Sequence, residues 1–309
     1  MQQAIQEKTL DKEIVIPVLR EVKKAKRFSV KPYLYLLPAF ITFITFIFYP
    51  FLKTIYLSFT ITNPRGEVKS FVGIDNYKDI LTSPDFFKSV IVTLKFVPML
   101  VIPSMVIGLI LALLAYRKIR GSATYEVMFS MPMAVASAPA AIVWTMLFHP
   151  SIGLINYVLG TNIGWLTDEK WGLISVSIVT VWLNIGVNFI FLVTGLKGIP
   201  EELLESSDID GAGFFRKLFK MIIPLVSPTL FFVLFFNVVN AFQAFGQIKI
   251  LTGGGPADST NVLVYSIYKE AFMNNRFETA CVQSLVLFFM MLIVTLLQFK
   301  FEKKGVHYS

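Results

Sequence analysis

Cysteine occurs once, at Cys281, and histidine twice, at His149 and His307. One cysteine excludes an intrachain disulfide, so Cys281 reads as a small apolar residue of a helix. The two histidines are far apart, and no Cys, Asp or Glu stands near them at ligand spacing. That excludes the usual metal sites, and neither a Ser/His/Asp nor a Cys/His arrangement can be built. His149 reads instead as an interfacial residue at the end of an apolar run. The run Gly253-Gly254-Gly255 lacks a following Lys-Ser or Lys-Thr, and the chain contains no Walker A pattern. ATP hydrolysis, and enzymatic activity in general, is therefore not expected. No cleavable signal peptide is visible. The first apolar run starts near Tyr33 and has no small-residue cleavage site, so it is expected to remain in the protein.

Charge is also scarce, at 16% of residues, against 55% hydrophobic. The mean hydropathy of +0.67 is more than a water-soluble domain hides, so lipid must be part of the solvent. Stretches free of Asp, Glu, Lys and Arg cover residues 32–52, 96–116, 127–167, 171–196, 221–248 and 279–299. Each holds the roughly 20 apolar residues that a helix needs to cross about 30 Å of hydrocarbon. The alternation of a lipid-facing barrel is absent. The fold class expected is an all-α membrane protein with six transmembrane helices. The third stretch exceeds one span, so its part beyond Pro150 is expected to be a loop or a short re-entrant piece. Met131-Pro132 and Ala138-Pro139 should bend that span.

The net charge of +8 is distributed by topology. With the N-terminus inside, the inner segments hold a basic tail from Lys8 to Lys31, the short loop Arg117-Lys118-Ile119-Arg120, and Lys197, Arg216, Lys217 and Lys220. They also hold Lys300, Lys303 and Lys304, whereas the outer loops carry the sparser Arg65, Lys69, Lys78, Lys88, Lys170, Lys249, Lys269 and Arg276. Lys53 and Lys95 sit at or just inside helix ends and snorkel. The bias predicts both termini in the cytoplasm, with the short loop as the cleaner evidence, and it argues against a nucleic-acid partner. The expected divisions are a cytosolic tail over 1–31, the first span and an outer loop over 32–86, a core over 87–301, and a second tail over 302–309.

One polar segment interrupts the core between the fourth and fifth spans. Pro200 suits a first helical turn, and Glu201 and Glu202 follow at the positive end of the helix dipole. Glu205, Ser206, Ser207, Asp208 and Asp210 continue the segment. Gly211 can adopt a backbone that other residues avoid and so divide it into two helices. The second helix would carry Phe214, Phe215, Leu218 and Phe219, apolar residues on a polar surface that a partner protein would cover. An ordinary helical hairpin is an equally open reading of the residues alone.

Glu205-Ser206-Ser207, Asp208, Asp210-Gly211-Ala212, Ile223-Pro224 and Pro228 resemble the EAA loop of ABC-importer permeases. The departures are Ser206 and Ser207 for two alanines and Ile223 for a leucine. Trp144-Thr145-Met146-Leu147-Phe148 with Gly153-Leu154-Ile155-Asn156, and Leu251-Thr252-Gly253-Gly254-Gly255-Pro256 with Ser259-Thr260 and Tyr265, are similar to the carbohydrate-uptake (binding-protein-dependent, type I) branch. Val187-Asn188-Phe189-Ile190-Phe191 and Gln298-Phe299-Lys300-Phe301-Glu302 resemble its glycerol-phosphate permeases. The resemblance runs from Tyr33 to the C-terminus. It implies a coupling loop over 197–220 that docks on a cytosolic ATPase. It also implies a second homologous permease, two ATPase copies that bind ATP and Mg, and an external solute-binding protein. No cofactor is expected on this chain. The implied solute is sn-glycerol-3-phosphate or a related small glycerol or sugar solute. A mono- or oligosaccharide is the alternative, and the implied location is a bacterial cytoplasmic membrane. A secondary transporter would need intramembrane acids or broken helices at an ion site, and the uncharged stretches offer none.

Two further groups carry candidate roles. Asn237, Asn240, Gln243 and Gln247 fall within roughly 120° of arc on a continuous helix, and Asn184 and Asn188 lie one turn apart on the fourth span. Either these line a translocation path or they hydrogen-bond one helix to another. The run Gly253-Gly254-Gly255-Pro256 is either a flexible outer turn or, as the resemblance implies, a contact for the binding protein. For a phosphate ester, Lys53, Lys95 and Lys249 are the cationic candidates near the path.

Overall fold

The computed structural model describes residues 31–116 and 122–305. The tail over 1–30, the loop Arg117-Lys118-Ile119-Arg120 and the end from 306, with His307, lie outside the described residues. The chain divides into two compact units, one ending at Pro50 and the other beginning at Phe51.

Helix dominates, as the apolar runs require. Four helices are long and apolar enough to cross a membrane: α1 (Leu34–Ser58), α3 (Pro84–Tyr116), α7 (Glu169–Lys197) and a last helix from Phe277. Two bent pairs raise the candidates to six if each pair counts as one span. α1 contains a π-helical turn at Ile44–Phe48, and its exposed side chains are mostly apolar, with Thr42, Thr45 and Lys53 the polar exceptions.

The all-α expectation needs one correction. Strands β1 (Thr60–Thr62) and β2 (Val68–Phe71) pair antiparallel in the loop after α1, with a bulge between Ile61 and Thr62. Asn63 fixes the turn, its Oδ1 accepting from the backbone of Arg65 at 3.0 Å and Glu67 at 2.9 Å. A short helix α2 (Asp75–Thr82) follows. Then α3 begins at Pro84, twelve residues before the uncharged run, because Pro84 and Asp85 are good first-turn residues and Lys88 and Lys95 stay exposed.

The third apolar run breaks sharply between Pro132 and Pro139. α4 (Ser122–Ser130) and a 3-10 turn at Met131–Ala134 meet α5 (Ser137–Leu147) at 99°. Pro132 starts the 3-10 turn, and Val135 and Ala136 are extended. Beyond Pro150 the chain forms α6 (Leu154–Leu159), then a turn that enters α7. Asp168 caps α7, its carboxylate accepting from Lys170 N at 2.9 Å. Asn156 organises the approach. Its Nδ2 donates to Pro150 O at 3.0 Å and Ile163 O at 2.9 Å, and its Oδ1 accepts from Trp165 Nε1 at 2.8 Å.

The polar segment forms α8 (Glu201–Ile209), and α9 (Phe214–Leu225) leads back with a π turn at Leu218–Ile222. α9 meets α10 (Ser227–Phe242) at 72°. The fifth apolar run then breaks again, and α11 (Gly246–Leu251) is a separate helix. α12 (Leu263–Tyr268) and α13 (Phe277–Gly305) complete the chain. Cys281 lies half-buried on α13 as a free thiol.

α3 and α7 form the spine. An added Cβ on Gly108 of α3 would stand 2.9 Å from Asn188 Cβ on α7, so glycine sets their approach. One core cluster gathers Phe96, Leu100, Phe148, Val176, Val179 and Ile248. A second gathers Ala112, Phe189, Leu192, Leu196, Val226 and Val233. These cores fix α7 between the start of α8 at one end and the loop after α11 at the other.

Candidate functional site

The acidic segment is built by capping chemistry. Pro200 stands at the N-cap of α8, one residue before the first turn, with φ −57° and ψ 131°. Glu201 and Glu202 occupy the positive end of the helix dipole. Asp210 closes the helix, and Gly211 follows at φ +68°. Gly211 N donates to Asp208 O at 3.0 Å, and Ala212 N donates to Ser207 O at 3.0 Å. This pair of bonds is a Schellman ending, which requires a left-handed residue at the Gly211 position. The sequence Asp-Gly-Ala therefore has a local structural reason. Ser206 and Ser207 turn their hydroxyls back onto Leu203 O at 3.0 Å and Leu204 O at 2.7 Å, so they replace alanine without a stranded polar group. Lys217 on α9 pairs with Asp208 across the turn.

The outer side of this hairpin is apolar. Ile209 is 87% exposed, Phe215 72% and Phe219 64%. Glu205, Ser206, Asp208 and Asp210 are exposed around them, while Ser207 is buried. Large apolar side chains rimmed by carboxylates form the kind of surface that a protein partner covers.

The second feature is a polar cavity of about 350 Å³ lined by Asn184, Asn240, Gln243 and Gln247 together with Thr180 and Ser137. The arc on a continuous helix does not exist. α10 ends at Phe242, Gln243 is its C-cap, and Gln247 belongs to α11. Packing rather than helical periodicity brings these side chains together. Gln247 Nε2 donates to Thr180 Oγ1 at 3.2 Å, and Asn184 Nδ2 is buried without a partner. Sequence reasoning missed Thr180 and Ser137. Thr180 stands one helical turn before Asn184, a spacing that was available as a signal. Asn188 and Asn237 are not at this cavity. Both are fully buried and bond each other, Asn237 Nδ2 to Asn188 Oδ1 at 2.9 Å and Asn188 Nδ2 to Asn237 Oδ1 at 3.2 Å. Among the described residues lining the cavity none is charged. Lys249 does not line it and is held beside it, with Nζ 2.9 Å from Tyr268 Oη and 4.5 Å from its ring centroid. Lys53 and Lys95 do not line it either.

The glycine turn sits at the other end of α7 from α8, about 40 Å away along a helix of this length. Gly253 and Gly254 have φ of +56° and +83°. Thr260 Oγ1 donates to Gly255 O at 2.8 Å, Thr260 N to Gly254 O at 3.2 Å, and Lys88 Nζ to Ala257 O at 2.6 Å. Pro256 packs on α7, where a Cβ at Gly172 would lie 3.3 Å from its Cδ. The turn is pinned, and its shape is a fixed surface. No group of three or more His, Cys, Asp or Glu among the described residues is placed to hold a metal.

Residues 104–304 match the family of binding-protein-dependent transport system inner membrane components. The chain is 38% identical over 285 residues to the sn-glycerol-3-phosphate transport system permease protein UgpA of Agrobacterium fabrum, covering 91% of this chain and 97% of that one. It is 35% identical to the protein of the same name from Pectobacterium atrosepticum, over 92% and 97%. Its fold is similar to that in a bacterial ABC transporter involved in the import of the acidic polysaccharide alginate. The TM-score is 0.79 at 19% identity, over 89% of this chain and 97% of that one. A bacterial alginate ABC transporter in complex with an alginate pentasaccharide-bound periplasmic protein gives 0.78 at 19% identity, over 89% of this chain and 96% of that one. Matched along most of its length, this multi-pass chain belongs to the binding-protein-dependent transport system inner membrane components, transport permeases rather than enzymes.

Proposed function

We propose that the chain is one permease subunit of an ATP-driven importer that carries sn-glycerol-3-phosphate, or a related small glycerol or sugar solute, into the cytoplasm. It spans the bacterial cytoplasmic membrane six times, each bent pair counting as one span, with both termini inside. The core lies over 87–301, with the tails at 1–31 and 302–309, and the first span and its loop occupy 32–86. A second homologous permease completes the pathway. Two ATPases bind ATP and Mg on the cytosolic side, the segment 197–220 docks into a cleft on an ATPase subunit, and an external binding protein meets the turn Gly253-Gly254-Gly255-Pro256.

The observation that carries this reading is the exposed apolar hairpin. Its contact residues, Phe215 among them, project around a glycine turn that fixes their direction. Closure of the ATPases pushes on α8 and α9, and α9 transmits the push to α10 through the 72° joint. α10 and α11 carry Asn240, Gln243 and Gln247, so movement at the hairpin reshapes the cavity those residues line. Binding-protein docking at the opposite end favours one state of the bundle by differential contact. The relatives named for sn-glycerol-3-phosphate permeases support the solute class.

The test is co-purification of the tagged chain from its native membrane, followed by reconstitution of the recovered complex in liposomes. A second permease and a Walker-motif ATPase should come with it, and labelled sn-glycerol-3-phosphate should enter when the binding protein and ATP are supplied. Uptake by the chain alone would refute the importer. Uptake of a sugar in preference to glycerol phosphate would refute the solute.

A further inference from the structure

A groove along α3 and α7 joins a cationic mouth to an apolar trough. Its upper part, about 720 Å³, is bordered by Phe87, Ile91, Met99, Leu173 and Ile174. A second hollow of about 510 Å³ continues from it and shares Met99 and Ile174. The second hollow reaches Ile185 on α7, so from Lys170 the two together run about 22 Å along the helix. That exceeds the roughly 15 Å depth of one leaflet's hydrocarbon.

The mouth of the upper part is cationic. Lys88, Lys95 and Lys170 border it against the single carboxylate of Glu169. Lys88 is spent on Ala257 O, but Lys95 and Lys170 have no ion pair among the described residues. Ser259 borders the same mouth, and its Oγ is buried with no partner.

Two helices independently set the depth. The charge-free run of α3 starts at Phe96, next to Lys95, and that of α7 starts at Trp171, next to Lys170. Both lysines therefore stand at the boundary between hydrocarbon and headgroups, at the membrane face opposite the acidic hairpin. A surplus of positive charge, a free hydroxyl and an apolar trough below them match one amphiphile. We propose that this groove binds an anionic phospholipid. Its phosphate lies between Lys95 and Lys170, Ser259 donates a hydrogen bond to the headgroup, and one acyl chain lies past Met99 and Ile174. The same phosphate-ester chemistry is found in a soluble glycerol phosphate, and the trough selects the lipid.

The full chain is purified in detergent with equal amounts of phosphatidylglycerol and phosphatidylcholine, and retained lipid is read by native mass spectrometry. Phosphatidylglycerol should be retained preferentially. K95Q/K170Q should lower that preference about five-fold for each lysine removed, the worth of a cation beside an anionic headgroup. K69Q/K78Q removes the same charge outside the groove and should leave it unchanged. Equal retention of the two lipids by the wild-type chain overturns the proposal, without depending on any variant. So does an equal loss in both double variants, or displacement of the lipid by excess sn-glycerol-3-phosphate, which would mark a water-open phosphate site. A photocrosslinker at Met99 that captures a polypeptide in the assembled complex would give the groove to a protein instead.

Discussion

Asn188 and Asn237 offer the sharpest separation of structure from transport. They are fully buried between α7 and α10 and bond each other in both directions, at 2.9 and 3.2 Å. Asn237 Nδ2 also donates to Val233 O at 2.8 Å. Replacing Asn237 by Leu, of similar volume, strands both the Oδ1 and the Nδ2 of Asn188. A buried polar group left unpaired costs about 1–3 kcal/mol. Inter-helix hydrogen bonds in membrane proteins couple by about 0.6 kcal/mol on average and up to about 1.7. A double-mutant cycle should therefore give losses of about 1–3 kcal/mol for N188L or N237L alone. The double Leu variant should recover to within about 1 kcal/mol of wild type, since no polar group is then stranded. Reversible unfolding in mixed micelles, followed by tryptophan fluorescence, measures the cycle, and liposome uptake is measured in parallel. A double variant that is as stable as wild type should still transport. Stability losses that simply add, or uptake abolished in a stable double variant, would return the pair to the translocation path and refute the argument.

Four other changes probe separate links. G211V finds no atom within 4 Å of its new Cβ, but its φ of +68° costs a non-glycine residue about 1–2 kcal/mol; the chain should still insert, while ATP hydrolysis by the assembled complex proceeds without uptake. Unchanged uptake would remove the coupling role. N156L strands Trp165 Nε1 and two loop carbonyls, and limited proteolysis should cut the segment between α5 and α7 faster while α8 is unaffected. G186A places a Cβ 2.8 Å from Ser130 O, a backbone atom, so about 1–3 kcal/mol of stability should be lost in the micelle assay. Q247L leaves Thr180 Oγ1 without its donor and makes one wall of the cavity apolar, which should raise the KM for uptake more than it changes the amount of folded complex.

What was legible in the sequence is what local chemistry decides. Gly211 between Asp210 and Ala212 announces a Schellman ending, and the hairpin folds that way. The runs without charge mark the long helices α3, α7 and α13, although Lys88 and Lys95 hid the first three turns of α3 by placing charge on an exposed helical face. The illegible part depends on tertiary packing. Nothing in the residues between Ser227 and Ile248 forbids a continuous helix, apart from Gly246. The chain nevertheless stops at Phe242, although Ala241, Ala244 and Ile248, at i, i+3 and i+7, would share one face of a straight helix and do enter one core cluster. That break turns Gln243 and Gln247 into a cavity wall beside Asn240, whereas Asn237, on α10 with Asn240, is buried against Asn188.

The neutrality of that cavity bears on how an importer of an anionic solute would work. A cation aimed into a low-dielectric path would bind a phosphate ester strongly and hold it, whereas conduction needs binding weak enough to leave. Asn184, Asn240, Gln243 and Gln247 supply amide donors and acceptors without net charge, and the nearby Lys249 is drawn onto Tyr268 instead. An amide-lined path can guide a hydrated polar solute with individually weak contacts, each of the order of 1 kcal/mol net. In the proposed importer, discrimination among solutes would then be made before entry, on the external binding protein, and this chain would open and close the path. A path built this way would tolerate phosphate esters and neutral sugars alike, so in the importer proposed above the solute would be set by the external binding protein more than by any side chain in the cavity.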